Sequence, residues 1–316
     1  MSTSDERAAS FGGKAAPPLG KAGDVLVYRF GGEGNDLCFV RLPYEYDPNG
    51  KPHPWIVCNH GNGWIMDGTE RTASWTGKTQ YGVDAQNGGA YLRREAPGYR
   101  RYSNPTIEAF LHAGYVVCGA QNYGDLLYGN NHSRLACVSF CDHMTATYRL
   151  EPQGFMLGAS NGFMTTVGAV RALGTGRVLG VIGQYPLCNL RHAYMHTHPD
   201  GVKRAYGIGS DDPAEFESKA GYADPCREPV PEKAGSDNRI GYNWPPTLLV
   251  WSSTDQVLPM EEHAVKYASL LRSHGIAVDD IRVDGDGEPC PHGHYRHFMP
   301  ETFVSWCESI RSKSAG

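Results

Sequence analysis

Residues 158–162 read Gly158-Ala159-Ser160-Asn161-Gly162 and follow the apolar run Phe155-Met156-Leu157. A serine with glycine two positions to either side matches the sharp strand-to-helix turn that lifts a hydroxyl clear of a sheet. Only small side chains fit at the flanking positions of so tight a bend. Ser160 is therefore the candidate nucleophile, and the backbone N–H of Asn161 a candidate oxyanion donor. A bare five-residue match also describes an ordinary turn between a strand and a helix. The context favours the catalytic reading. The run before Ser160 is strand-like, and residues 163–173 have helical character, which sets a positive dipole end beneath a developing oxyanion.

A hydroxyl nucleophile needs a base, and the base needs an orienting acid. Leu248-Leu249-Val250-Trp251-Ser252 is strand-like and leads to Asp255, four residues before Pro259. Asp255 at a strand exit can accept an imidazole Nδ1–H; its plain alternative is a cap on the helix expected from Pro259. Asp211, Asp212 and Asp224 are weaker rivals, because no strand precedes them. The base should follow the last strand, where His292, His294 and His297 crowd together. Spacing alone does not choose among the three. His-x-His spacing also suits a metal, yet no carboxylate or thiolate cluster with ligand spacing accompanies it, so no metal is expected. His192, His196 and His198 form a second, looser set that reads as the surface of an insertion.

The elements that position these residues follow from the pattern of apolar runs. Short β-prone runs alternate with helical patterns, which implies an α/β fold with a mostly parallel central sheet and helices on both faces. Strands are expected at 24–30, 37–42, 55–59, 115–120, 153–159, 178–185, 247–252 and 281–283. Helices are expected over 105–113, 132–149, 161–173, 259–274 and 300–310. Two connections exceed ordinary loop length. Residues 62–104 read as a wall of the site, and residues 188–246 as a cap or lid. Small and polar residues fill 1–23, which reads as a flexible tail ahead of one domain over 24–316.

The chain has 316 residues, 40% hydrophobic and 20% charged, with a formal net charge of −5. Such a balance gives no global field for nucleic acid or an anionic membrane surface. Arg93, Arg94, Arg100 and Arg101 form a local basic cluster that reads as a solvated face. The nine cysteines include no C-x-x-C pair, and several lie in apolar runs. A reducing, cytoplasmic setting is expected rather than a disulfide framework. The N-terminus lacks the apolar stretch of a secretory signal, and no run is long and apolar enough to span a membrane.

Together these motifs resemble the α/β-hydrolase superfamily, and within it the branch of esterases, cutinases and dienelactone hydrolases. The likeness is carried by Cys58-Asn59-His60-Gly61-Asn62-Gly63 after a strand, by the Ser160 turn, and by Asp255 with Val257 and Pro259. A fourth piece, His297-Phe298-x-Pro300, is similar to a stretch of cutinase-like enzymes. The order Ser160, Asp255 and then a C-terminal histidine is the order of that fold. The resemblance selects His297 as the base and implies an oxyanion hole from the N–H groups of Asn62 and Asn161. It implies an acyl-enzyme mechanism on a carboxylic ester, small or polymeric, with no cofactor. Trp64, Tyr123 and Tyr185 leave strand ends on the side where α/β sheets place ligands, and are expected to line an apolar pocket. Asn161 stands where such enzymes often carry Met or Gln, but only its N–H is needed. The long insert after Gly63 departs from compact cutinases. Amide hydrolysis or acyl transfer on the same triad, metal-assisted hydrolysis by the three late histidines, and a non-catalytic binding module are the alternatives.

Overall fold

The computed structural model describes residues 19–30, 36–61, 105–122, 128–227 and 244–314. Eight strands form one sheet: β1 Val25–Phe30, β2 Asp36–Arg41, β3 Trp55–Asn59, β4 Val116–Ala120, β5 Gly154–Ala159, β6 Val178–Gln184, β7 Thr247–Trp251 and β8 Val278–Arg282. Their spatial order is β1-β2-β4-β3-β5-β6-β7-β8. β2 runs antiparallel to both of its neighbours, and β3 to β8 are parallel throughout.

Alternation along each central strand divides the core into two layers. Trp55 and Val57 of β3 join one layer, while Ile56 and Cys58 join the other. Helices α2 (Asn131–Thr147), α3 (Gly162–Leu173) and α6 (Ala264–Ser273) cover the first face through Phe140, Phe163, Val167, Tyr267 and Leu271. Helices α1 (Pro105–His112) and α7 (Pro300–Ser314) cover the second through Ile107, Phe110, Phe303, Cys307 and Ile310. Each such fully buried apolar side chain stabilises the fold by roughly 1.5–3 kcal/mol of transfer free energy. Helices on both sides are what bury a parallel sheet.

Element types match the sequence expectation; three boundaries differ by three residues or more, the last helix running on to Ser314 rather than residue 310 and two elements starting elsewhere. The last strand is expected over 281–283, but Asp279 and Asp280 belong to it as well. It begins at Val278, since an outermost strand pairs on one side only and leaves such residues exposed. The helix expected from residue 259 begins at Ala264, after a series of turns.

The insertion between β6 and β7 is helical where described. A short turn at Leu190–His192 continues as a π-helical turn at Ala193–Thr197, followed by α4 (Pro199–Tyr206) and α5 (Pro213–Lys219). It has its own small core of Leu190, Tyr194, Val202, Ile208 and Phe216. That core also takes in Met164 of α3 and Leu258, just beyond Asp255. The insertion is thereby seated beside the start of α3 and the turn that carries the acid. All nine cysteines are unpaired and eight are buried. Among the described residues no helix is long and apolar enough to cross a membrane.

Candidate active site

Ser160 leaves β5 at φ +51°, in the left-handed region that non-glycine residues rarely occupy. The strain is held by backbone bonds on both sides. The Ser160 N–H donates to the Gln184 carbonyl at 3.0 Å, and the Ser160 carbonyl accepts from Phe163 N at 3.1 Å and Leu187 N at 3.0 Å. The flanking glycines have a steric reason. A Cβ at Gly158 would lie 2.5 Å from Phe163 Cα, and one at Gly162 would fall on the carbonyl oxygens of Asn59 and His60. The bend exists because α3 starts in contact with the end of β3.

The imidazole that meets Ser160 is that of His292. Its Nε2 lies 2.9 Å from Ser160 Oγ and its Nδ1 lies 2.7 Å from Asp255 Oδ2. Asp255 is buried, and its other oxygen accepts from Val257 N at 2.9 Å and Leu258 N at 3.0 Å. Burial opposes its ionisation, but the His292 contact and the two N–H bonds outweigh that and hold the carboxyl below its ordinary value. Asp255 thus gives one oxygen to the His292 ring and the other to the turn at Val257 and Leu258 that follows it.

His297, the base selected on resemblance, stands elsewhere. It is fully buried; its Nδ1 faces the His294 carbonyl at 3.1 Å, and its own carbonyl accepts from Gln184 Nε2 at 2.9 Å. Burial chiefly lowers its pKa to about 4, so the ring is neutral. The reason for the displacement is local. Tyr295–His297 is a tight helical turn leading into α7, and its position carries His297 and Phe298 into the core. His292 sits in the turn closed by His294 N donating to the Pro291 carbonyl at 3.0 Å, with Gly293 at φ +72°. Glycine serves that positive φ, and the histidine before it is presented outward. The Pro-His-Gly sequence was the signal that could have identified His292. The three late histidines do not converge on a point: one faces Ser160, one the chain's own carbonyl, and His294 Nδ1 accepts the Arg296 N–H at 3.3 Å. Among the described residues no group of three or more His, Cys, Asp or Glu side chains is placed to hold a metal ion.

Tyr185, expected to line a pocket, is buried and packs its ring against His292 and His297 at centroid distances of 4.7 and 5.0 Å. It supports the imidazole from behind, because its φ of +36° at the end of β6 turns the side chain into the core. Asn62, Trp64 and Tyr123 lie outside the described residues. The Asn161 N–H donates to no acceptor among the described residues and stands at the start of α3. The β3 end that leads toward residue 62 is braced by buried amides, Asn59 Nδ2 donating to Thr166 Oγ1 at 2.9 Å and Asn122 Nδ2 to Asn59 Oδ1 at 3.1 Å.

Sequence reasoning assigned His198 to the surface of the insertion. It is half-buried, and its pKa is lowered first by burial and then by the charge of His292. His263, absent from the sequence reading, is buried behind the acid turn, and its Nδ1 accepts from Cys188 N at 3.3 Å and Asn189 N at 3.2 Å.

No family model matches the chain, and no curated protein matches it in sequence. Solved structures do match in fold. A sugar hydrolase from Lactococcus lactis is 18% identical with a TM-score of 0.53, over 92% of this chain and 99% of that one. A lipase/esterase from Lactobacillus plantarum is 11% identical with a TM-score of 0.54, over 90% and 98%. An acylaminoacyl peptidase from Pyrococcus horikoshii is 15% identical with a TM-score of 0.60, over 91% of this chain but only 42% of that one. With its strand order, its antiparallel β2 and these likenesses, the chain has the α/β-hydrolase fold.

Proposed function

We propose that the chain is a serine hydrolase that cleaves carboxylic esters through an acyl-enzyme on Ser160. The observation that supports this most is the continuous line from Ser160 Oγ through the His292 ring to Asp255, set on a strained turn. In the reaction, His292 Nε2 takes the Ser160 proton as Oγ attacks the ester carbonyl. Asp255 keeps the Nδ1 proton in place and stabilises the imidazolium. Charge develops on the carbonyl oxygen, where the Asn161 N–H and a donor from the segment after Gly61 receive it. Such a donor is typically worth ~3 kcal/mol of barrier. The imidazolium returns its proton to the leaving alcohol, and water then cleaves the acyl-enzyme with His292 as base again.

The helical insertion acts as a cap, supported by its seat beside Met164 and Leu258. The unpaired thiols fit a reducing compartment such as the cytoplasm. Labelling with a fluorophosphonate probe followed by peptide mapping tests the nucleophile: modification is expected at Ser160, and none in Ser160→Ala. Turnover of p-nitrophenyl esters against matched anilides tests the substrate class. Faster anilide cleavage would overturn the ester reading and favour an amidase on the same triad.

A further inference from the structure

Three hydroxyl residues, Ser252, Ser253 and Thr254, stand between the end of β7 and Asp255. Their bonds reach across to the loop between β8 and α7. At the start of that loop, Asp284 is 1% exposed. It accepts the Ser253 N–H at 3.0 Å and the Ser253 hydroxyl in a very short bond, and Arg282 Nε donates to it at 3.1 Å. Burial opposes its ionisation, but the Ser253 and Arg282 bonds hold the carboxyl far below the usual range. Further along the loop, Cys290 N donates to Thr254 Oγ1 at 2.7 Å, and Ser252 Oγ pairs with the same Thr254 hydroxyl at 2.9 Å. The residues between these two fastenings, 285–289, are exposed.

An exposed loop is a poor ruler for a contact of hydrogen-bond length, because its many conformations spread the position of what it carries. Here the loop is gripped at two points, Asp284 and Cys290, by the same turn that carries Asp255. Thr254 immediately precedes Asp255, and Cys290 is separated from His292 by Pro291 alone, whose φ is fixed by its ring. The free arm between clasp and imidazole is therefore one stiff residue.

We propose that Ser253 and Thr254 are positioning residues that clasp the His292 loop to the Asp255 turn, so that the imidazole is held against the carboxylate before substrate arrives. This rests on the reading of Ser160 and His292 as nucleophile and base. The clasp acts through His292 and touches neither substrate nor the reacting atoms.

Thr254→Val removes the acceptor of the Cys290 N–H at nearly constant volume, and Thr254→Ser keeps it. Three quantities are read on the full chain: the rate of Ser160 labelling by a fluorophosphonate, the far-downfield proton NMR resonance of an imidazole N–H bonded to a carboxylate, and the melting temperature. Thr254→Val is expected to label at least roughly tenfold more slowly, since misplacement in an assembled site can cost ~10²-fold. Its downfield resonance is expected to broaden or vanish while the melting temperature changes little. Thr254→Ser is expected to restore rate and resonance. A Thr254→Val protein with unchanged rate and resonance overturns the clasp, as does failure of Thr254→Ser to restore them. Asp284→Ala cuts the other fastening, removing the acceptor of both the Ser253 N–H and the Ser253 hydroxyl, and is read the same way if Thr254→Val does not fold; unchanged rate and resonance there overturn it too. A wild-type chain that is not labelled overturns the nucleophile reading instead, and the resonance comparison still decides the clasp.

Discussion

Tyr185 meets His292 edge to face, with ring centroids 4.7 Å apart and planes at 77°. The same ring touches His297 at 5.0 Å. One buried aromatic therefore separates the imidazole that reaches Ser160 from one that does not. The two histidines differ in surroundings: His292 has Asp255 on one nitrogen and Ser160 on the other, whereas His297 is enclosed. Their substitution should have opposite signatures.

His292→Ala is expected to lower ester turnover by roughly 10⁶-fold and Asp255→Asn by roughly 10⁴-fold, with the fold intact, as in other triads whose members act as a unit. Kinetics on a p-nitrophenyl ester, with circular dichroism as the folding control, checks both. A His292→Ala protein with near wild-type turnover would refute the assignment.

His297→Ala is expected to do the reverse. It empties a fully buried site and should cost about 2 kcal/mol or more of stability, while the folded fraction keeps most of its labelling rate. Urea unfolding and fluorophosphonate labelling of the same sample separate the two effects.

Acid should weaken the fold through its buried imidazoles. His297 titrates at about 4 and His263 at about 3, both lowered chiefly by burial from an ordinary value of 6.5. Between those values the unfolded chain binds protons that the folded chain does not, so unfolding is favoured as pH falls. Stability from these groups is fully present above the ordinary imidazole value and is lost progressively below it. In His297→Gln the slope of unfolding free energy against pH in that window should be smaller by up to roughly 1.4 kcal/mol per pH unit, the value for one proton. Urea midpoints from neutral pH down to pH 4 measure it; an unchanged slope would show that His297 is not buried neutral.

Gly162→Ala and Gly158→Ala should each be destabilising, because the new methyl meets backbone that has nowhere to go. Overpacking of this kind typically costs about 1–3 kcal/mol. Gly176→Ala, where nothing lies within 4 Å, is the control and should leave the melting temperature nearly unchanged.

The sheet was legible in the sequence because most of its strands are short apolar runs between punctuating residues, the strand carrying Asp279 and Asp280 being the exception, and the places of Ser160 and Asp255 at strand exits were legible because each follows such a run. The base was not. His292, His294 and His297 share one chemistry within six positions, and what separates them is the direction of the backbone. A turn with glycine at its third position turns His292 out, and a tight helical turn rolls His297 in. The likeness at His297-Phe298 misled because both residues pack as the lead-in to α7. Tyr185 failed as a pocket residue for a related reason: a strand end fixes which side of the sheet a residue is on, not whether its ring faces solvent.

The outermost place of β8 carries a consequence for thermal behaviour. The His292 loop hangs from a strand that, among the described residues, has a neighbour on one side only and carries acidic residues facing water, while Ser160 rises from the middle of the sheet. Marginal strands fray at temperatures where the interior still holds together. Inactivation on warming should therefore precede the cooperative melt and reverse on cooling, with catalytic half-life governed by the rim of the molecule rather than by its centre.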